Sequence, residues 1–269
     1  MNKKFLTSVV CAFAVMATTV FINGCAAQAT GSATRQATGS AQKAGSAQKA
    51  GSAQKAGSAQ KAGSGQKTAG QATPHPGLMD PTKANEDCPE KFQVVFTTTK
   101  GNITIEVTKK WAPNGAKRFY NLAKIGYYND IAIFRAIDGF MFQFGIHGDP
   151  AVSAKWMNAT ITDDPRIGIP NVPGVLSFAQ TGRPNSRSVQ MFVNLGKNDF
   201  LDNPRQGSPF VPFGKIVAGS DVMKKINTEY GENAGGVQGN FQQKGNAYIK
   251  AQYPNIDYIR SAKIIKMEK

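Results

Sequence analysis

Residues 134–143 read FRAIDGFMFQ, a largely apolar run that contains one arginine, Arg135. Asp138-Gly139 divides this run, and apolar stretches extend over 131–137 and 140–144 on either side. Asp and Gly are turn residues, so the pattern predicts two short strands joined by a turn. Burying an arginine without a carboxylate partner is costly, and Asp138 is the nearby candidate. The alternative is that Arg135 has a functional role.

Short apolar runs continue in both directions from this stretch. Residues 92–98 and 103–107 predict a hairpin with its turn at Lys100-Gly101-Asn102, because apolar and polar residues alternate along the second strand. Further strands are predicted over 174–179, 190–194, 213–217 and 258–267.

Helical spacing of apolar residues marks two other segments. Residues 112–129 carry apolar side chains at helical intervals, with Asn114 as the predicted cap, and a second helix is predicted over 220–228. Residues 231–245 are rich in Gly, Asn and Gln, and we expect a long loop there. Many short strands and two helices predict a mainly β domain, an antiparallel barrel with capping helices.

Three stretches, in this order along the chain, resemble the cyclophilin family of peptidyl-prolyl cis-trans isomerases. FRAIDGFMFQ at 134–143 is similar to the family pattern FRxIxxFMxQ, with one extra residue before Phe140. SFAQTGRPNSRSVQMFVNLGKNDFLD at 177–202 is similar to the family's Gly-Pro-Asn loop and the Gln and bulky residues after it. FVPFGK at 210–215 stands where the family has its VFG strand. The resemblance implies a closed, eight-stranded antiparallel barrel capped by two helices, and the isomerase domain is assigned to residues 89–269.

The same resemblance implies a set of site residues. Arg135 is implied to be catalytic, with Gln143 beside it. The residues implied to bind substrate are Phe140, Met141, Ala179, Gln180, Gln190, Phe192, Phe200, Leu201 and Phe210. Four of these are implied to form the walls of a proline pocket, namely Phe140, Met141, Phe192 and Leu201. From the residues alone, each of the four could equally be an ordinary core side chain.

Departures from the family pattern bear on substrate range. Phe200 stands where well-studied eukaryotic members carry Trp, which predicts weak binding of cyclosporin. Phe210 stands where those members have His. Phe144 replaces a usual Gly, and Arg183 lengthens the Gly-Pro-Asn loop by one residue.

An arginine and an apolar pocket suit rotation about an X-Pro bond. The barrier of ~18–20 kcal/mol arises from the partial double-bond character of the C–N bond. No bond is broken, so the reaction needs no nucleophile, base, metal or cofactor. An arginine stays charged at any working pH and can donate a hydrogen bond to the prolyl nitrogen as the amide twists.

Histidine content and net charge limit the other classes of function. The chain has only two histidines, His75 and His147, which argues against a catalytic triad and a histidine-ligated metal. His147 and Asp149 lie in a Gly-rich loop and are interpreted as loop structure, since two ligands make a poor metal site. The formal net charge of +15 favours anionic surfaces. No basic run is interleaved with aromatic residues, so no nucleic-acid partner is predicted.

The first 24 residues have the form of a secretory leader. A basic start at 1–4 precedes the apolar run FLTSVVCAFAVMATTVFI at 5–22. INGC at 22–25 resembles a bacterial lipobox, which implies cleavage before Cys25 and attachment of acyl chains such as palmitate to it. Residues 1–24 are therefore predicted to be a lipoprotein signal peptide. An uncleaved anchor and an ordinary signal with an incidental cysteine are the alternatives.

Residues 25–88 are predicted to form a flexible, disordered tether. GSAQKA units begin at Gly39, Gly45, Gly51 and Gly57 and contain no large apolar residue, so they cannot bury a core. With Cys25 acylated, the tether would hold a folded domain at the cell envelope. By resemblance to the Gram-negative sorting rule, Ala26 implies the outer membrane, with the cell surface or the periplasm as the compartment.

Two further classes of function compete with the isomerase reading. One is a monomeric, non-catalytic module that binds Pro-containing segments of unfolded or envelope proteins as a chaperone or adhesin. The other is a structural lipoprotein that binds cell wall through the lysines of the repeats. The combination of Arg135, Phe140 and Gln143 favours the monomeric isomerase acting on Pro-containing segments of unfolded or envelope proteins.

Overall fold

The predicted hairpin is present in the computed structural model, which describes residues 73–204 and 207–268. Strand β1 (Lys91–Thr98) pairs antiparallel with β2 (Gly101–Thr108), and alternate side chains of both are buried. Thr98 lies opposite Gly101, so the turn residues are Thr99 and Lys100 rather than the predicted Lys100-Gly101-Asn102. Gly101 has a backbone φ of 130°, a value that residues with a Cβ rarely adopt.

Seven more strands complete one antiparallel sheet in the described part of the chain. They are β3 (Ile131–Ala132), β4 (Arg135–Ile137), β5 (Met141–Phe144), β6 (Val175–Phe178), β7 (Met191–Asn194), β8 (Pro212–Ala218) and β9 (Tyr258–Glu268). The strand order is β3-β9-β1-β2-β8-β6-β7-β5-β4. The predicted strands at 174–179, 190–194, 213–217 and 258–267 are thus confirmed to within a residue or two.

The predicted closed, eight-stranded barrel is wrong. The described residues form an open, curled sheet of nine strands, with β3 and β4 at the two ends of the order. The run at 131–137 divides at Ile133-Phe134, after which β3 pairs with β9 and β4 pairs with β5. One run therefore supplies both edges of the sheet. The edge strands are short, with two residues in β3 and three in β4, so each pairs with its neighbour over that length only.

Helices are more numerous in the described residues than the two predicted. They are α1 (Pro113–Lys124), α2 (Pro150–Trp156), α3 (Asp199–Asp202), α4 (Ser220–Met223), α5 (Gly231–Gly235) and α6 (Gln238–Gln252). The two predicted helices correspond to α1 and α4, both shorter than expected. The loop predicted at 231–245 is wrong, because α5 and the first half of α6 occupy it, with a kink at Gly245.

Helix α1 starts without the predicted cap. Its N-cap is Ala112, which has no side-chain capping bond. Asp164, from a distant loop, accepts hydrogen bonds from the backbone N–H groups of Asn114 at 2.8 Å and Gly115 at 2.9 Å. A carboxylate accepts from helix N-terminal donors and, unlike an amide, also carries a charge that opposes the positive end of the helix dipole.

Two apolar clusters organise the domain. The larger lies between α1 and the sheet and is rich in aromatic rings, including Phe92, Phe96 and Phe119. The smaller packs α5 and α6 against β3, β9 and Phe134, the residue before β4, and α5 also contacts β4 directly. The second cluster fixes α5 beside β4, the strand that carries Arg135.

Residues 76–88, which the sequence analysis assigned to the tether, pack against the domain. Cys88 is buried, and Trp156 Nε1 donates to the carbonyl oxygen of Leu78 at 2.9 Å. Asn121 Nδ2 donates to the Glu86 carbonyl oxygen at 2.8 Å, and Asn121 Oδ1 accepts from the Glu86 N–H at 2.9 Å. Folded structure therefore extends upstream of residue 89.

The predicted signal peptide, Cys25 and the repeats lie outside the described residues. Within 73–204 and 207–268, no helix has the length and apolar character needed to cross a bilayer.

Candidate active site

Arg135 lies on β4 with only 6% of its surface exposed. Its Nη1 donates to Gln143 Oε1 at 3.2 Å, across the β4–β5 pair in which the two residues are direct partners. Gln143 Nε2 in turn donates to Gln190 Oε1 at 2.8 Å. The side chains of Arg135, Gln143 and Gln190 thus form one continuous hydrogen-bonded row, which brings together the arginine and the two polar residues that the resemblance implies beside it.

A cluster of apolar side chains adjoins this row, and it is called the apolar pocket below because the resemblance implies that it receives the proline ring. Its buried members are Phe140, Met141, Phe192, Leu201 and Phe210, with Ile137 and Ala179 packed against them. The guanidinium carbon of Arg135 lies 5.7 Å from the centre of the Phe140 ring. The four predicted pocket walls are therefore in one cluster beside the predicted catalytic arginine, and that cluster is separate from the two structural clusters described above.

Phe200 lies at the rim of the pocket. About half of its surface is exposed (51%), and its ring centre lies 5.7 Å from that of Phe140. Phe210, by contrast, is buried, with its ring edge-on to Phe192 at 5.8 Å. These two of the four departures from the family pattern thus differ in position, since Phe200 lies at the exposed edge of the apolar pocket and Phe210 is buried in it.

Ala179 and Gln180 follow the end of β6 at another side of the pocket. The Ala179 N–H donates to the Gln190 carbonyl oxygen at 2.9 Å. The Gln180 side chain is buried and its Nε2 donates to the Ser208 carbonyl oxygen. Gln180 therefore holds the backbone that leads into Phe210, a contact that the sequence analysis did not predict.

A buried polar network supports the pocket from behind, and the sequence analysis missed it. Asn171 Nδ2 donates to Asp202 Oδ1 and to the Phe210 carbonyl oxygen, both at 2.8 Å. Asn198 Nδ2 donates to the Phe140 carbonyl oxygen at 2.9 Å. These amides fix the backbone of two pocket residues. Isolated Asn residues in a loop carry no periodic signal, so no sequence pattern marks them.

The sequence analysis also missed an ion pair of Arg135. Both carboxylate oxygens of Glu232, on α5, accept from the arginine: Oε2 from Nε at 2.9 Å and Oε1 from Nη2. The suggested partner Asp138 is instead an exposed residue of the turn before β5. Glu232 is 97 positions from Arg135 in the chain, so only the fold could reveal the contact.

His147 and Asp149 have structural contacts, as their interpretation as loop residues predicts. His147 Nδ1 accepts from the Asp149 N–H at 3.0 Å, and its ring lies 5.0 Å from that of Tyr127. Burial lowers the pKa of His147 below its usual 6.5, which favours the neutral ring that this acceptor role requires. Asp149 caps α2 through a 2.8 Å bond from the Ala151 N–H.

Comparison with known proteins agrees with this arrangement. A family model described as "Cyclophilin type peptidyl-prolyl cis-trans isomerase/CLD" matches residues 93–250. Peptidyl-prolyl cis-trans isomerase A of Dickeya dadantii is 34% identical over 145 residues, which cover 54% of this chain and 76% of the relative. A peptidyl-prolyl cis-trans isomerase of Acinetobacter baylyi is 35% identical over 133 residues, covering 49% and 70%. Peptidyl-prolyl cis-trans isomerase B of Escherichia coli is 35% identical over 136 residues, covering 49% and 82%.

The chain belongs to the cyclophilin family. It is a peptidyl-prolyl cis-trans isomerase, the activity that the family model and these relatives share.

Proposed function

We propose that this isomerase acts on X-Pro bonds of envelope or secreted proteins, with Arg135 as its catalytic residue. The observation that carries the assignment is the buried guanidinium at the edge of the apolar pocket, 5.7 Å from the Phe140 ring. A proline ring bound among Phe140, Met141, Phe192 and Leu201 would place its amide nitrogen beside that guanidinium.

Catalysis follows from differential binding. When an X-Pro amide twists, resonance is lost, and the lone pair of the prolyl nitrogen becomes localised on that atom, where it can accept a hydrogen bond. Arg135 donates to this nitrogen more strongly in the twisted state than in the planar one, which lowers the barrier. The apolar pocket holds the ring while the preceding part of the peptide rotates. Gln143, which is itself hydrogen-bonded to Gln190, holds Nη1 of the guanidinium beside β5.

The assay is cis-to-trans conversion of a Pro-containing tetrapeptide by the purified full-length chain. Arg135→Ala is expected to lower kcat/KM by about 100-fold or more, as removal of one preorganised donor does elsewhere. Arg260→Ala is the matched control, since Arg260 is half exposed and pairs with Asp130 on another part of the sheet. Unchanged activity in Arg135→Ala would overturn the assignment. Binding of the peptide without acceleration by the wild type would favour the non-catalytic chaperone or adhesin.

The envelope location rests on the leader, the lipobox-like INGC at 22–25 and the repeats that follow. We propose that Cys25 is acylated and that the repeats tether the isomerase to the membrane, where two or more acyl chains make a stable anchor. Mass spectrometry of the mature N-terminus tests this. The expected result is an acylated Cys25, and an unmodified Met1 would contradict it.

A further inference from the structure

We propose that Glu232 is a positioning residue that, together with Gly235, fixes the orientation of the Arg135 guanidinium for isomerisation. The proposal rests on the function of Arg135 proposed above. It assigns a catalytic contribution to α5, a helix that no motif of the site includes.

The ion pair between Glu232 and Arg135 has a bidentate geometry. Glu232 binds the side-on edge of the guanidinium, formed by Nε and Nη2, while Gln143 binds Nη1 from the sheet. A bidentate carboxylate fixes both the position and the plane of an arginine, because two parallel hydrogen bonds restrain rotation of the planar guanidinium about the Cδ–Nε bond. With Gln143 on Nη1, the guanidinium is held from α5 and from β5.

Gly235 of α5 packs closely against the methylene groups of the Arg135 side chain. A Cβ at Gly235 would lie 2.8 Å from Cδ and 3.0 Å from Cγ of Arg135. Real Cβ atoms do not approach other atoms so closely, so any other residue at 235 would displace the arginine or the helix. Helix α5 therefore contacts Arg135 at two places. Glu232 binds the guanidinium, and Gly235 packs against the methylene groups of the side chain.

Helix α5 is itself fixed by burial of its apolar side in the smaller cluster. Ala234, the neighbour of Gly235, is fully buried in the cluster that packs α5 and α6 against β3 and β4. The Glu232 side chain, however, is 59% exposed. Removing this carboxylate leaves the buried guanidinium without its ion partner, so we expect some loss of stability besides the change in the orientation of Arg135, and unfolding must be measured beside activity.

The test compares variants at these two positions with near neighbours as controls. Glu232→Ala is expected to lower kcat and kcat/KM together by about tenfold, since misplacing a catalytic group reduces transition-state stabilisation. Glu232→Gln should lose less, because the amide keeps one acceptor oxygen. Gly235→Ala should also lose activity, although alanine favours helix. The controls Glu229→Gln and Gly236→Ala should stay at wild-type activity, and circular dichroism with urea unfolding should show a folded domain throughout.

Two readouts separate positioning from a merely structural role. Because the Glu232 position is open to solvent, added acetate should restore activity to Glu232→Ala, while chloride at equal ionic strength should not. Gly235→Ala, which keeps the carboxylate, should gain nothing from acetate. In the ¹⁵N spectrum, the Arg135 Nε–Hε signal, assigned by its loss in Arg135→Lys, should shift in Glu232→Gln and stay in place in Glu229→Gln.

The outcomes distinguish this inference from the proposed function. Full activity of Arg135→Ala would overturn the role of Arg135 itself. Loss in Arg135→Ala together with full or raised activity in Glu232→Ala would overturn only the positioning role. A folded, slow Glu232→Ala that acetate does not restore would also overturn it.

Discussion

Replacing Arg187 by methionine should be among the most destabilising single changes in this domain. Arg187 is 2% exposed, and its Nη1 donates to Asp164 Oδ2 at 2.9 Å, where the carboxylate is fully buried. Its Nε donates to Asp163 Oδ1 at 3.2 Å, and its Nη2 donates to the Thr162 carbonyl oxygen at 2.5 Å. Methionine fills much of the same space but leaves Asp164 without its counter-ion.

The magnitude follows from what remains around Asp164. Breaking a buried ion pair by removing one partner costs about 3–5 kcal/mol. Asp164 keeps the backbone donors of Asn114 and Gly115, and Asp163 is 26% exposed, so the lower end of that range applies. A loss of about 3 kcal/mol in the free energy of unfolding corresponds to about 6–12 °C in Tm for a domain of this size.

Urea unfolding followed by circular dichroism measures this loss. Arg166→Met serves as the control, because Arg166 is exposed and its side chain contacts only that of Asn203 among the hydrogen bonds described. The control should lie within about 0.5 kcal/mol of the wild type. In the double variant Arg187→Met/Asp164→Asn, the two losses should not add, with a coupling of about 1–3 kcal/mol. A loss below 1 kcal/mol for Arg187→Met, or strict additivity, would contradict the contribution of ~3 kcal/mol expected from the buried ion pair.

Three further predictions concern other buried groups. Asn171→Leu should lower the free energy of unfolding by about 2–3 kcal/mol and should also lower kcat/KM. The leucine leaves the Asp202 carboxylate and the Phe210 carbonyl without the side-chain amide that donates to both. Urea unfolding and the tetrapeptide assay measure the two effects. Burial raises the pKa of Cys88 to about 11, so peptide-level mass spectrometry should find slow labelling by iodoacetamide at pH 8 in the native protein and fast labelling in urea. Burial lowers the pKa of His147 below 6.5, so the unfolded chain takes up this proton more readily as pH falls through 6.5, and the histidine costs stability in acid. The difference in the free energy of unfolding between His147→Asn, whose amide oxygen can replace Nδ1 as acceptor, and the wild type should therefore shift in favour of the variant from pH 7 to pH 5, and a difference that does not change with pH would contradict the lowered pKa.

Strands with a regular alternation of apolar residues were predictable from the sequence. The pattern at 103–107 placed Ile103, Ile105 and Val107 on one face, and all three are buried in β2. The run at 134–143 likewise predicted two strands joined by a turn, and β4 and β5 pair so that Arg135 lies opposite Gln143. Such local signals work when a single face of one element determines burial.

The segment after residue 230 was not predictable in the same way. Its helices are rich in Gly, Asn and Gln, and only Phe241, Gly245 and Ile249 of α6 are buried. A helix with so few apolar anchors shows no clear periodicity, and its stability comes from tertiary packing. The open sheet was missed for a related reason. The residues at 131–137 are buried throughout except Ile137, so apolar content could not reveal where one strand ends and the next begins.

The ion pair with Glu232 raises the question of whether a carboxylate weakens Arg135 as a donor. Two effects oppose each other: the carboxylate draws positive charge from the guanidinium, and it fixes the direction of the N–H bonds. Two charges 4 Å apart attract by about 1 kcal/mol in water and about 4 kcal/mol near a protein surface. Because Glu232 is 59% exposed, its field is closer to the screened limit. Its hydrogen-bond geometry, in contrast, does not depend on screening. The orienting effect should therefore exceed the electrostatic one, which is why we expect activity to fall, and not to rise, when Glu232 is removed.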